Sequence, residues 1–178
     1  MPDDRKRSRR PEPAGPDEDP NVKPVGYASP PCQMHELEPD YLGYWSREEV
    51  LALLQELLEA ERAGAKVTAQ LGKAADEAEL AAALHDVRDD EARFCAMLSR
   101  HIEALGDAPS RRTGDFQAKV MALDGMEARL SLLNRGQGWV VRKLREALPR
   151  IADDALHAEL KEMLETHERN IARCDELL

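Results

Sequence analysis

Aromatic residues are scarce in this chain of 178 residues: Phe, Trp and Tyr make up 4% of it, whereas hydrophobic residues make up 42%. A core built mainly from Leu, Ala, Val and Met is typical of packed helices rather than sheets. Proline is also rare beyond the N-terminal segment, because nine of the eleven prolines lie in residues 1–39. We therefore expect an all-α protein with one folded domain after that segment.

Long apolar runs are missing as well. No run approaches the roughly 18 residues of a membrane span, and none follows the basic residues near the N-terminus, so we expect a soluble, cytoplasmic protein with no membrane partner. Cysteine is limited to Cys32, Cys95 and Cys174, an odd and widely spaced set that indicates reduced thiols. The chain also lacks a glycine-rich phosphate loop, a nucleophile elbow and a zinc-protease motif.

The net charge of −10 lies entirely beyond residue 30, because residues 1–30 carry equal numbers of acidic and basic side chains. The folded part is therefore acidic. An acidic surface repels the phosphates of nucleic acids and anionic lipids, so we expect no nucleic-acid partner.

Three segments follow from composition. Residues 1–26 mix proline with charges of both signs and are predicted to be disordered. Residues 27–45 hold all three tyrosines and Trp45, and are predicted to form an ordered aromatic arm along the helices. Cys32 and His35 in this arm have a ligand-like spacing but no second pair, so packing is favoured over a zinc site or a redox-sensitive Cys32. Residues 46–178 are predicted to form a four-helix bundle.

Apolar residues at alternating spacings of three and four predict the four helices. The first begins after Ser46, which forms a capping box with Glu49, and ends near Leu71. The second runs from about residue 76 to 105, the third from about 115 to 148, and the fourth from about 153 to the C-terminus. A ferritin-like crossover would require residues 106–115 to span most of a helix, and ten extended residues reach about 35 Å. A simple up-down connection is easier to close, although a later start of the third helix would relieve the strain.

In each predicted helix the apolar residues form a stripe along one face, and in all four stripes polar residues occupy positions where leucine is expected. They are Glu61, Glu91, Glu127, Asn134, Gln137, His167 and Asn170. Buried ionisable groups are costly unless they are paired, hydrogen-bonded or bound to a cation. Counting residues from the turn between the first two helices places Glu61 and Glu91 within about 6 Å of each other along the helix axes, so we expect them to face each other. The same count separates Glu127 from His167 by about 12 Å, and Asn134 and Gln137 fit better.

Residues 54–65, with the sequence LQELLEAERAGA, resemble the first helix of the ferritin-like superfamily, in particular bacterial proteins related to bacterioferritin and rubrerythrin. The resemblance implies a ferritin-like four-helix bundle with Glu61 at the first carboxylate ligand. The Glu-x-x-His pattern of that superfamily falls on Glu91 with Phe94 in place of histidine, and on His167 with Asn170. The resemblance thus implies a reduced ligand set.

Two functions are consistent with these residues. In the first, Glu61, Glu91 and His167, with or without Glu127, hold one Fe, Mn or Zn ion in metal or oxidative-stress handling. In the second, a non-enzymatic, metal-free bundle uses a buried polar layer to fix helix register, and contacts a second copy or another helical partner. The acids would then pair with Arg62, Arg93, Asn134, Gln137 or His167, and Asn170 would belong to the same layer.

Gly136 and Gly138 flank Gln137 inside the third predicted helix. Each glycine costs about 1 kcal/mol relative to alanine in a helix, which calls for a structural reason. The glycines indicate either tight packing of a neighbouring element or a small cavity beside Gln137 and Trp139.

Overall fold

A computed structural model of the chain describes residues 43–177. The predictions for the tail of residues 1–26, and for the part of the arm that holds Cys32 and His35, lie outside the described residues. Of the arm, Tyr44 is exposed, whereas Trp45 packs against the helical core.

Residues 43–177 contain five α-helices and no strand, so the all-α class is confirmed. The helices are α1 (Arg47–Ala74), α2 (Ala78–Ala104), α3 (Phe116–Met121), α4 (Met126–Ala147) and α5 (Asp154–Glu176), and a 3-10 turn, Leu148–Arg150, follows α4. The prediction of a continuous third helix is wrong. Gly125 has a φ of 82°, which glycine adopts readily and most other residues rarely adopt. The chain bends there, between α3 and α4.

Side-chain caps set the first and last helix starts. The hydroxyl of Ser46 accepts a hydrogen bond from the N–H of Glu49, whose carboxylate accepts one from the N–H of Ser46 in return. Asp153 accepts from the N–H of Leu156 at 2.7 Å at the start of α5. The capping box predicted from the sequence is therefore confirmed.

The four long helices surround one core. α1 packs against α2 and α4, and α5 packs against the same two helices, so α1 lies diagonally opposite α5, and α2 opposite α4. The N–H of Trp45 donates to the carbonyl of Arg150 at 2.8 Å, which joins the start of α1 to the end of α4. Adjacent long helices are therefore antiparallel, while α2 and α4 point the same way.

The connection between α2 and α4 crosses the length of the core along α1. Four residues of α1 contact it in order from one end of the helix to the other: Gln55 with Asp107 and Ala108, Glu59 with Ser110, Lys66 with Thr113, and Gln70 with Gln117. The simple up-down connection is thus not the one observed. Because α4 begins at Met126 rather than near residue 115, the crossover has enough chain to cover the distance.

Buried apolar side chains form two clusters, one toward each end of the long helices. Along the helices, a layer of buried polar side chains separates them: Glu61, Thr68, Glu91, Gln137, Thr166, His167 and Asn170. No helix within residues 43–177 is long and apolar enough to cross a bilayer.

Candidate functional site

Three of the four predicted metal ligands meet inside the core. Glu61 on α1, Glu91 on α2 and His167 on α5 are 2%, 3% and 2% exposed, and all three line one cavity of about 510 Å³. The sequence predicts that Glu61 and Glu91 face each other, and the structure places both in the lining of this cavity.

Glu61 and His167 form the closest pair in the cavity. His167 Nδ1 lies 2.9 Å from the Met163 carbonyl oxygen, and Nε2 lies 3.1 Å from Glu61 Oε1. Because a carbonyl only accepts, Nδ1 carries a hydrogen, and the contact with Glu61 requires a second proton between Nε2 and Oε1. Burial opposes the charged ring, but the charge and hydrogen bond of Glu61 outweigh it and raise the pKa of His167. The pair is best described as imidazolium and carboxylate.

Glu91 occupies space left by a missing side chain. A Cβ atom at Gly64 would overlap the Glu91 carboxyl group, so this glycine lets the acid lie against α1. The Thr68 hydroxyl lies 3.3 Å from Glu91 Oε2 and donates there or to the Gly64 carbonyl at 3.0 Å. Burial, and then the charge of Glu61, raise the pKa of Glu91 well above its usual range. The environment therefore favours the neutral carboxylic acid.

Gln137 on α4 supplies the fourth polar group of the cavity. Its side chain is 3% exposed, and neither Nε2 nor Oε1 has a hydrogen-bond partner among residues 43–177. Glu61 Oε2 is likewise buried and unpartnered within this range. A buried polar group without a partner costs about 1–3 kcal/mol, so these atoms gain most from an occupant of the cavity.

The two glycines beside Gln137 have different surroundings. A Cβ atom at Gly136 would lie 2.6 Å from the ring of Phe116, so tight packing explains this position. A Cβ atom at Gly138 would meet only the Arg142 guanidinium, at 3.7 Å. The cavity beside Gln137 and Trp139 is also present, so both interpretations of the glycine pair hold.

The cavity wall is largely apolar and the mouth is charged. Its apolar side chains include Phe116, Leu132, Leu133, Trp139 and Val140. The crossover contributes Thr113, Gly114 and Asp115, which cover one side, and the exposed Arg135 and Arg142 of α4 lie at the rim. The sequence gives a signal for Glu61, Glu91 and His167, which interrupt the apolar stripes, but none for Arg135 and Arg142, because these two lie on the exposed side of α4.

The remaining predicted site residues lie elsewhere. Glu127 is exposed in the first turn of α4, ten residues and thus about 15 Å of rise from Gln137, so the structure does not bring it to the cavity with the other three predicted ligands. Asn134 donates to Asp175 Oδ1 at 2.6 Å, and Asn170 donates to Asp90 Oδ2 at 3.2 Å. Neither asparagine lines the cavity.

The predicted arginine partners do not reach the buried acids. Arg93 pairs with Glu162 at 2.6 Å and its guanidinium lies over the ring of Phe94. Arg62 forms no ion pair within residues 43–177, and its buried Nη1 is unpartnered there. Phe94 also packs against His167, with ring centroids 5.7 Å apart. His167 is thus the cation that balances Glu61.

The thiols within the described residues are poor nucleophiles. Burial raises the pKa of Cys95 to about 12 and also raises the pKa of the buried Cys174. Since the thiolate is the reactive form, both side chains act as small core residues.

No group of three or more His, Cys, Asp or Glu side chains in residues 43–177 has the arrangement of a metal site. The full ligand set of a ferritin-like di-metal centre also does not fit, because Phe94 and Asn170 stand where histidines are expected and α4 offers neutral Gln137.

No curated protein and no solved structure matches the chain. The model of a domain of unknown function, DUF6306, matches residues 48–176. The match begins in the first turn of α1 and ends at the last residue of α5, so it includes all five helices and the whole cavity. The chain therefore belongs to the DUF6306 family.

Proposed function

We propose that this domain is a ferritin-like bundle in which the position of the metal centre has become a pocket for a small organic molecule. The helix order supports the ferritin-like assignment, since neighbouring long helices are antiparallel and a crossover joins α2 to α4. Glu61, Glu91, Gln137 and His167 come one from each long helix and line the same cavity.

Charge balance favours an organic occupant over a metal ion. The imidazolium of His167 neutralises Glu61, and the raised pKa of Glu91 favours its protonated form. Protons alone therefore bring the buried acids close to neutrality, so these acids do not need a metal ion to balance their charge.

The unpartnered amide of Gln137 in the cavity is the observation that carries the proposal. Small-molecule pockets typically have volumes of about 300–1,000 Å³, apolar walls and a few converging polar groups. The cavity of about 510 Å³ has these properties. A ligand that hydrogen-bonds to Gln137 and to Glu61 Oε2 would satisfy atoms that the protein leaves unpaired.

Filling the cavity tests the proposal. Ala60 is half-buried and lines the cavity, whereas Ala69, half-buried on the same helix, does not. We expect phenol to shift the NMR signals of the Trp139 indole and the Gln137 amide. Ala60→Leu should weaken phenol binding by about tenfold or more, and the control Ala69→Leu should leave it unchanged. Unmoved signals at saturating phenol, or equal binding by both variants, would contradict the proposal.

A single divalent metal ion at Glu61 and His167 is the second candidate, and it would support a role in metal or oxidative-stress handling. The Met163 carbonyl fixes Nδ1 and turns Nε2 toward Glu61, as in many metal-binding histidines. The 3.1 Å between the two donor atoms also suits adjacent ligands at about 2.1 Å from one ion.

Elemental analysis separates the two candidates. Protein purified from cells supplied with Fe, Mn and Zn should contain about one metal per chain if the second candidate is right. Glu61→Gln should then lose this metal, while Glu56→Gln, an exposed position on the same helix, should keep it. The pocket proposal expects no stoichiometric metal in either variant.

A further inference from the structure

The acids at the mouth of the cavity are already paired with cations. Glu59 accepts from the Ser110 hydroxyl at 2.6 Å and from Arg112 at 2.9 Å, and these contacts lower the pKa of Glu59. Asp115 pairs with Lys119 at 2.9 Å. These carboxylates are therefore not free to neutralise a further cation at the rim.

Two arginines at the rim have no such partner. Arg135 and Arg142 are exposed, line the cavity and form no ion pair within residues 43–177, whereas Arg145 on the same helix pairs with Glu168 at 2.6 Å. They are seven residues apart, about two turns or 10 Å, on the side of α4 that carries Trp139. The mouth thus has an excess of positive charge beside an aromatic side chain.

The inner end of the cavity holds unpartnered hydrogen-bonding atoms and not unpaired cations. Glu61 Oε2 and Gln137 Oε1 are unpartnered acceptors, and Gln137 Nε2 is an unpartnered donor. A hydroxyl group complements them, because it donates one hydrogen bond and accepts another. An anionic group at this end would face the carboxylate of Glu61, so a charged ligand places its anion at the rim.

We infer that the pocket takes a hydroxy-substituted aromatic carboxylic acid, with the carboxylate at Arg135 and Arg142 and the hydroxyl at Gln137. The inference rests on the proposed pocket and adds the class and orientation of the ligand. The ring lies between Trp139, Phe116 and Val140, which provide flat and apolar surfaces.

Three probes separate the two ends of the ligand: 4-hydroxybenzoate, phenol without the carboxylate, and benzoate without the hydroxyl. Isothermal titration calorimetry should show 4-hydroxybenzoate binding about tenfold or more tightly than either fragment. The Arg135→Gln/Arg142→Gln double variant should reduce its affinity to that of phenol and leave phenol unaffected. Arg145→Gln, the matched control, should change neither affinity.

Gln137→Leu tests the inner end, because leucine keeps the volume and removes both polar atoms. It should weaken 4-hydroxybenzoate and phenol but not benzoate, with thermal unfolding confirming that the variant is folded.

Two negative results have different meanings. Equal affinity for 4-hydroxybenzoate and phenol, or a double variant that binds like the wild type, overturns the anion assignment and leaves the pocket intact. If no probe binds and the NMR signal of the Trp139 indole does not move, the inference and the pocket proposal both fail.

Discussion

Gln137 lowers the stability of the ligand-free protein. Both of its polar side-chain atoms are buried without a partner in the described part of the chain, although leucine would fit the apolar pattern of α4 at this position. Residues that serve binding are often kept at the expense of stability. The energetic cost at this position is therefore a measurable signature of a binding role.

Gln137→Leu should raise the free energy of unfolding by about 1–2 kcal/mol, because it removes two unpaired polar atoms from the core. Urea denaturation of the ligand-free protein measures the change. Asn170→Leu is the matched control, and it should lower stability because Asn170 donates a hydrogen bond to Asp90. A loss of stability in Gln137→Leu as large as in the control would indicate a structural role for the amide.

Glu91 should make stability depend on pH. Its pKa in the folded protein is raised by burial and by Glu61, whereas a glutamate in the unfolded chain titrates near about 4.3. As pH rises above that value, the unfolded chain releases its proton while the folded protein keeps it, so the free energy of unfolding falls until the folded pKa is passed.

Glu91→Gln should remove this decrease, since the amide mimics the neutral acid at every pH. We expect the advantage of the variant over the wild type to be smallest near pH 4 and to grow toward neutral pH. Urea denaturation at several pH values measures it, and parallel stability curves for the two proteins would refute the assigned protonation of Glu91.

At the scale of elements, α4 contains a matched pair of glycines. Gly138→Ala should gain about 0.5–1 kcal/mol, because alanine favours the helix and only the Arg142 guanidinium lies nearby. Gly136→Ala should be less stable than Gly138→Ala by about 1 kcal/mol or more, because its Cβ displaces the Phe116 ring. Thermal unfolding of both variants gives the difference, and equal stabilities would show that Phe116 moves without cost.

Local chemistry made some elements predictable. The Ser46 and Glu49 box marks the start of α1, and the apolar periodicity reports the four long helices. The break before α4 was missed, because the apolar pattern continues through residues 122–125 while Gly125 adopts a positive φ. The choice between an up-down connection and a crossover stays open in the sequence for the same reason, since the reach of the connection depends on where α4 begins.

The site was predictable as far as helix faces determine it. Glu61, Glu91 and His167 interrupt apolar stripes, and the structure brings them together. Glu127 interrupts its stripe in the same way, but periodicity gives the face of a residue and not its height in the core. Counting residues from the turn before α5 supplies that position: it places Glu127 about 12 Å from His167 and favours Gln137, which lines the cavity.

For the whole molecule, the polar layer divides the core into two apolar clusters. The Glu61 and His167 pair belongs to that layer and joins α1 to α5, two diagonally opposite helices. Such a buried pair contributes little net stability, because the attraction mainly repays the loss of hydration. Removing only one of the two residues is nevertheless destabilising, because the other is left buried without its partner.

A double-mutant cycle tests this balance. Glu61→Leu should lower the free energy of unfolding by about 3–5 kcal/mol at a pH below 6, because the unfolded chain keeps His167 protonated while the buried ring has lost the carboxylate that offsets its burial. His167→Leu should be similarly damaging at neutral pH, because the Glu61 carboxylate is then buried alone. The double variant should recover to at least wild-type stability, since it removes both buried charged groups together and leaves neither without a partner.

Urea denaturation at both pH values measures the cycle. Additive losses in the double variant would show that Glu61 and His167 act independently, and the imidazolium and carboxylate assignment would then be wrong. Recovery together with lost binding of phenol would show that the polar layer is kept for the pocket and not for the fold.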